Sequence, residues 1–195
     1  MNISFRISLF CFLFGGIIAC DNNKPADTSS NKAIADTAKY YPIANFITDE
    51  MKYVDLRNFM IVEKTIKGTG SSSFAISKDD FLAAASVILK KAQWFTANKN
   101  LFTESVFQDL GTESYTINYS STNASIKNID LLLNLQTNLP KRLFIRVIQQ
   151  SGDTTITEQY SWVANKQFVI SRSKRTQQGF NESSSKEISW KNQDQ

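Results

Sequence analysis

The sequence predicts an α+β fold, with N-terminal helices packed on a curved antiparallel sheet of about five to six strands in a meander. Two observations carry that expectation. Apolar residues recur at helical spacing as far as about residue 92, and at a spacing of two after Gly111. The alternating segments are short and separated by turn signals, which suits hairpins rather than parallel crossovers.

Ile34, Ala38 and Tyr41 are spaced like one helix face, and Pro42 interrupts it. Ile43, Phe46, Ile47, Met51 and Val54 then predict a helix over roughly 43 to 56. Asn58 to Lys67 is rich in apolar and β-branched residues and reads as a strand. The 68–73 stretch, GTGSSS, reads as a loop. Ser77 and Asp80 have the spacing of a capping box, and both acids, Asp79 and Asp80, suit the positive end of a helix. Phe81, Ala85, Ile88 and Ala92 form one stripe, so a helix is expected over about 78 to 92, with Lys90 and Lys91 at its C-terminal end. Leu101 to Phe107 reads as a short helix or a loop docking two phenylalanines.

The period then changes to two. Tyr115, Ile117 and Tyr119 alternate with polar residues, and Ile129, Leu131, Leu133 and Leu135 form a clean face. Leu143, Ile145 and Val147 repeat the pattern with Phe144 and Ile148 opposite, as in a strand buried on both faces. Ser151-Gly152-Asp153 and Asn165-Lys166 are turn signals flanking Ile156, Tyr160 and Trp162. Phe168 and Ile170 follow, residues 177–184 read as a loop or wide turn, and Ile188 and Trp190 mark a closing strand. No internal repeat is visible.

The first 20 residues set the compartment. Arg6 gives a positive start, and Ile7 to Ile18 is a mostly apolar run that fits the core of a secretory signal. A membrane span needs roughly 20 apolar residues, so the run is too short to be one. Ile17-Ile18-Ala19-Cys20 resembles the lipobox of bacterial lipoprotein signal peptides. The resemblance implies cleavage before Cys20, diacylglyceryl attachment to its sulfur, and acylation of the new amino group. Several acyl chains hold a protein on a bilayer where one binds only marginally, at about 0.8 kcal/mol per buried methylene. The implied location is the cell envelope, lipid-anchored and facing the periplasm or the cell surface, with the outer membrane favoured over the inner. Asp21 bears on sorting by rules that differ between bacteria. The domain plan is therefore a signal peptide over 1–19, a flexible tether over 20–32 with its single proline, and one α+β domain over 33–195. A more diffuse likeness runs from Phe102 to Asp109, through Tyr115 to Tyr119, to Gly152-Asp153-Thr154-Thr155 and Trp162. It is similar to uncharacterised lipoproteins of Bacteroidota, which place helices before a meander, and it implies no activity.

Removing 19 of 195 residues leaves 176, enough for one domain with a real core. The net charge of +4 becomes +3 once Arg6 leaves, and it is spread along the chain, which does not suit a nucleic-acid partner. Of the two cysteines, Cys11 leaves with the signal and Cys20 carries lipid, so no disulfide or thiol nucleophile is expected.

Histidine is absent, which excludes Ser-His-Asp triads, Cys-His pairs and His-containing zinc sites. No phosphate-binding glycine motif or EF-hand spacing occurs. The remaining acids of interest are Glu104 with Asp109, and Asp153 with Glu158. A glycosidase needs two carboxylates at a defined separation across a cleft. Asp153 beside Gly152 reads more simply as a turn residue, and Glu104 as a cap or surface charge. The expectation is therefore no catalytic residue, no cofactor and no metal.

Binding has better candidates. Arg142 and Arg146 share a strand face with Phe144 and Ile148, and Arg172 shares one with Phe168 and Ile170, followed by Lys174 and Arg175. Neighbouring strands would make these a basic and apolar strip for an anionic headgroup, a polysaccharide or an acidic partner. Trp162 belongs to an aromatic set with Tyr115, Tyr119, Tyr160, Phe168 and Trp190 that would suit sugars or a partner. The simpler reading weighs more in both cases: basic side chains guard sheet edges, and aromatics fill the core. The expected function is a membrane-anchored envelope lipoprotein whose domain binds a protein or polysaccharide or serves a structural role. The alternative is a carrier or sensor holding a lipid or small hydrophobic ligand between sheet and helix.

Overall fold

The computed structural model describes residues 40–192. The expected signal peptide, Cys20, the expected tether and the expected Ile34–Ala38 helix face lie outside the described residues. Helix α1 (Ile43–Asp55) starts directly after Pro42, whose missing N–H costs nothing there. Its buried stripe is Ile43, Ile47, Glu50 and Val54. Helix α2 (Lys78–Ala97) opens with the expected capping box. Ser77 Oγ accepts from the Asp80 amide at 3.1 Å, and the Asp80 carboxylate accepts from the Ser77 amide at 3.3 Å. The Ser77 hydroxyl, which donates to the Asp80 carboxylate at 2.6 Å, and then the Ser77 amide hold that carboxyl below its ordinary range. The helix runs past 92 to Ala97 because Phe95 continues the buried stripe of Phe81, Ala85, Ile88 and Ala92.

The α+β class holds, and three details of the expectation are corrected. The sheet has nine strands rather than five or six. They are β1 (Phe59–Lys67), β2 (Gly70–Ala75), β3 (Thr103–Asp109), β4 (Ser114–Ser120), β5 (Ile126–Asn134), β6 (Pro140–Ser151), β7 (Thr154–Val163), β8 (Gln167–Thr176) and β9 (Asn181–Asn192). The helices do not simply precede the strands, because the β1–β2 hairpin separates them. The stretches read as a loop at 68–73 and as a helix or loop at 101–107 contribute β2 and β3, the two edges of the sheet.

The strand order is β2-β1-β9-β8-β7-β6-β5-β4-β3, antiparallel throughout. From β3 to β9 the chain is a meander, and β1 joins its far side by pairing with β9. Gly152 turns β6 into β7 at φ +55°, a left-handed conformation that glycine adopts without a Cβ clash.

Both helices pack on one face. Phe81 of α2 meets Phe168 and Trp190 at ring separations of 5.8 and 5.4 Å. Phe95 meets Tyr119 at 4.7 Å. Ile117, Ile129, Leu131, Ile145, Trp162 and Ile188 complete this inner layer, all fully buried. Strand β6 is buried on this face only: Leu143, Ile145 and Val147 point in, while Arg142 and Arg146 are exposed on the other. The two-sided burial expected from Phe144 and Ile148 is thus not realised, and both are half-buried.

Candidate functional site: an uncovered polar sheet face

The outer face follows from the register. Residues opposite one another in an antiparallel pair share a face. Ser71, Ile66, Ser185, Ser171, Gln159, Arg146, Asn128, Ser120 and Thr103 are successive partners, so one row crosses all nine strands. Beside it run Ser183, Ser173, Thr157 and Ile148. None of these side chains is buried. Among the described residues no helix covers them, since the partners of both helices lie on the inner face.

A groove of about 300 Å³ opens on this face between β1 and β7, lined by Ile66, Thr157, Gln159, Ser171, Ser173 and Ser183 to Ser185, with Gly68 and Arg172 at its rim. The Ser171 and Ser185 hydroxyls lie 3.2 Å apart in its floor. Its lining combines hydroxyls and one carboxamide, groups that both donate and accept, with the apolar Ile66 and with Arg172.

The four residues singled out from sequence do not form one strip. Arg142 and Arg146 lie on the outer face, and Arg146 sits directly across from Gln159. Arg172 is opposite Glu158 on the inner parity, beyond the helices, and β7 separates β6 from β8. Trp162 is fully buried: it stacks on Phe168 at 4.8 Å and donates from Nε1 to Glu50 Oε2 at 3.0 Å. It is core, not surface.

The acids have structural partners. Glu104 Oε2 accepts from the Tyr40 amide at 2.9 Å, and the Tyr119 hydroxyl accepts from the Tyr41 amide at 2.8 Å, which ties the segment before α1 to β3 and β4. Burial pushes the Tyr119 phenol up. Asp109 accepts from Thr112 and from the Gly111 amide and is held below the usual carboxylate range, chiefly by Thr112. Glu158 accepts from Tyr160 at 2.8 Å and pairs with Lys91 at 3.6 Å. Burial, then the Glu158 hydrogen bond, raise the Tyr160 phenol. Glu104 and Asp109 sit near opposite ends of β3, so they do not flank one cleft. Among the described residues no group of three or more Cys, Asp or Glu side chains could hold a metal ion.

Glu50 was not singled out from sequence, yet it is the most consequential acid in the domain. Its Oε2 accepts from Trp162 and, at 2.8 Å, from the Asn165 amide in the β7–β8 turn. Burial raises its pKa above the ordinary glutamate value, against the opposing pull of those two bonds. The signal was its position: Glu50 falls in step with Ile47 and Val54 on the apolar stripe of α1.

No protein-family model, curated protein or solved structure matches the chain. Among the described residues no helix is long and apolar enough to cross a membrane.

Proposed function

We propose that this chain is a lipid-anchored envelope protein whose domain binds rather than catalyses, and that the uncovered sheet face recognises an envelope polysaccharide. The observation that carries the reading is the row of mostly hydroxyl and amide side chains across the face opposite the helices, with a groove between β1 and β7. A polysaccharide offers hydroxyls at intervals along an extended chain, and an open row of donors and acceptors can meet them without ordering a deep pocket. Arg142 and Arg146 on the same face add donors for carboxylate or phosphate substituents. The alternative of a hydrophobic ligand between sheet and helices has less support, because Phe81, Phe95, Tyr119, Trp162 and Phe168 are packed against one another there.

The test is sedimentation of the chain with purified envelope polysaccharide fractions. Ser171→Trp fills the groove without entering the core, and an about tenfold or greater loss of affinity is expected, the equivalent of about 1.4 kcal/mol. Lys52→Glu on the helix side should bind as the wild type does. Equal binding by Ser171→Trp, or no polysaccharide binding at all, overturns the polysaccharide reading. In that case, recovery of one consistent protein from crosslinked envelopes would identify a protein partner instead.

A further inference from the structure

The solvent side of α2 differs from an ordinary helix surface. Between Phe81 and Ala97 the helix carries two lysines and no acid. Val87 is 40% exposed and Trp94 38%, and together with Lys90, Lys91, Ser125 and Ile126 they line a groove of about 430 Å³. Two acids on the inner face of the sheet approach this side, Glu158 within the patch itself and Glu104 beyond it. Glu158 pairs with Lys91, and Glu104 accepts from the Tyr40 amide.

The patch adjoins Tyr40, the first described residue. Trp94 packs edge-on against Phe102 at 6.3 Å, and Phe102 is followed two residues later by Glu104, which holds Tyr40. Lys99, just past the end of α2, lies 5.2 Å over the Tyr40 ring. Only 19 residues, 21–39, lie between Cys20 and Tyr40. At most about 3.4 Å per residue, that segment spans no more than ~70 Å.

We propose that this side of α2 docks onto the anionic membrane surface that carries the chain's own acyl anchor. The inference rests on the lipid-anchor reading, because the short connection to Cys20 is what brings the patch to the bilayer. Tryptophan favours the headgroup region, where its ring is sheltered and its N–H stays wet, and lysines meet anionic lipid charge. The groove then receives headgroup and upper acyl-chain atoms, with Lys90 and Lys99 on phosphate. The opposite sheet face is left directed away from the bilayer.

The measurement uses intrinsic fluorescence. Of the three tryptophans, Trp162 and Trp190 are buried, so a quencher in the bilayer reports on Trp94. The acylated chain, and a Cys20→Ser chain without acyl groups, are mixed with vesicles of phosphatidylcholine containing 30% phosphatidylglycerol and brominated acyl chains. Quenching of the acylated chain is expected on these vesicles and not on pure phosphatidylcholine at moderate salt. Val87→Asp combined with Lys90→Glu should lower the vesicle affinity of the Cys20→Ser chain at least about tenfold, while Lys64→Glu, exposed on the far face, leaves it unchanged. Absence of quenching in both chains, or quenching indifferent to the double substitution, overturns the proposal. So does quenching by free brominated fatty acid with no dependence on vesicles, which would make the groove a ligand site. An unmodified Cys20 in the native chain, read by mass, removes the anchor reading even where the Cys20→Ser chain still docks, so the two failures are distinguishable.

Discussion

Phe81→Ala is expected to lower the stability of the domain by about 3–5 kcal/mol, measured by urea unfolding. Phe81 is fully buried where α2 crosses β8 and β9, and its ring touches Phe168 and, edge-on, Trp190. Truncation removes the transfer free energy of the ring and leaves a cavity that the neighbouring aromatics cannot close without leaving their own contacts. A small domain holds only about 5–15 kcal/mol in total, so this change is a large share of it. Val87→Ala, on the solvent side of the same helix, should stay within about 0.5 kcal/mol. A Phe81→Ala loss as small as that of Val87→Ala would mean that α2 is not the element that closes this part of the core.

Glu50→Ala is expected to cost about 2–4 kcal/mol, because the Trp162 Nε1–H and the Asn165 amide both lose their acceptor. Glu50→Gln keeps an oxygen in place and should cost far less. The pH dependence separates the two roles of the residue. Burial raises the Glu50 pKa in the folded state, so the folded state holds this proton more tightly than the unfolded chain does. Its contribution is therefore greatest at and below about pH 4.3, the unfolded glutamate value, and is lost as pH rises through the higher folded value. Glutamine does not titrate. The stability of Glu50→Gln relative to wild type should rise as pH climbs from about 4 through the raised folded pKa and then level off. A difference that stays constant with pH would mean that Glu50 ionises in the fold as freely as in water.

Much of the fold was legible because burial on one face leaves a strict imprint on sequence. The alternation of Ile129, Leu131 and Leu133, and of Leu143, Ile145 and Val147, is the inner layer itself. The capping box at Ser77 and Asp80 fixed the start of α2. The edges left no such imprint. Strand β2, GSSSFA, is exposed at every position and is held to β1 by backbone pairing, which any composition can supply. Strand β3 turns Val106 inward and leaves Phe107 63% exposed outward, so its pattern resembles that of a loop.

The candidate site was half legible for a similar reason. Arg142 and Arg146 alternate with the core residues of β6 and so belong outside, whereas Arg172 keeps step with Phe168 and belongs to the inner parity. That parity was present in the chain, but the order that puts β7 between them was not. The serine and threonine row is invisible in sequence, since it exists only once nine strands are in register. Glu50 shows the converse, an acid on an apolar stripe whose purpose appears only when the β7–β8 turn is brought to it.

The proposed recognition face and the proposed docking of α2 both depend on lipid attachment at Cys20. Mass spectrometry of the N-terminal peptide from native membranes tests it most directly. The account predicts a peptide that begins at Cys20, lacks residues 1–19, and carries a diacylglyceryl group on sulfur. A peptide that retains Met1 to Ala19, or that begins at an unmodified Cys20, would contradict it.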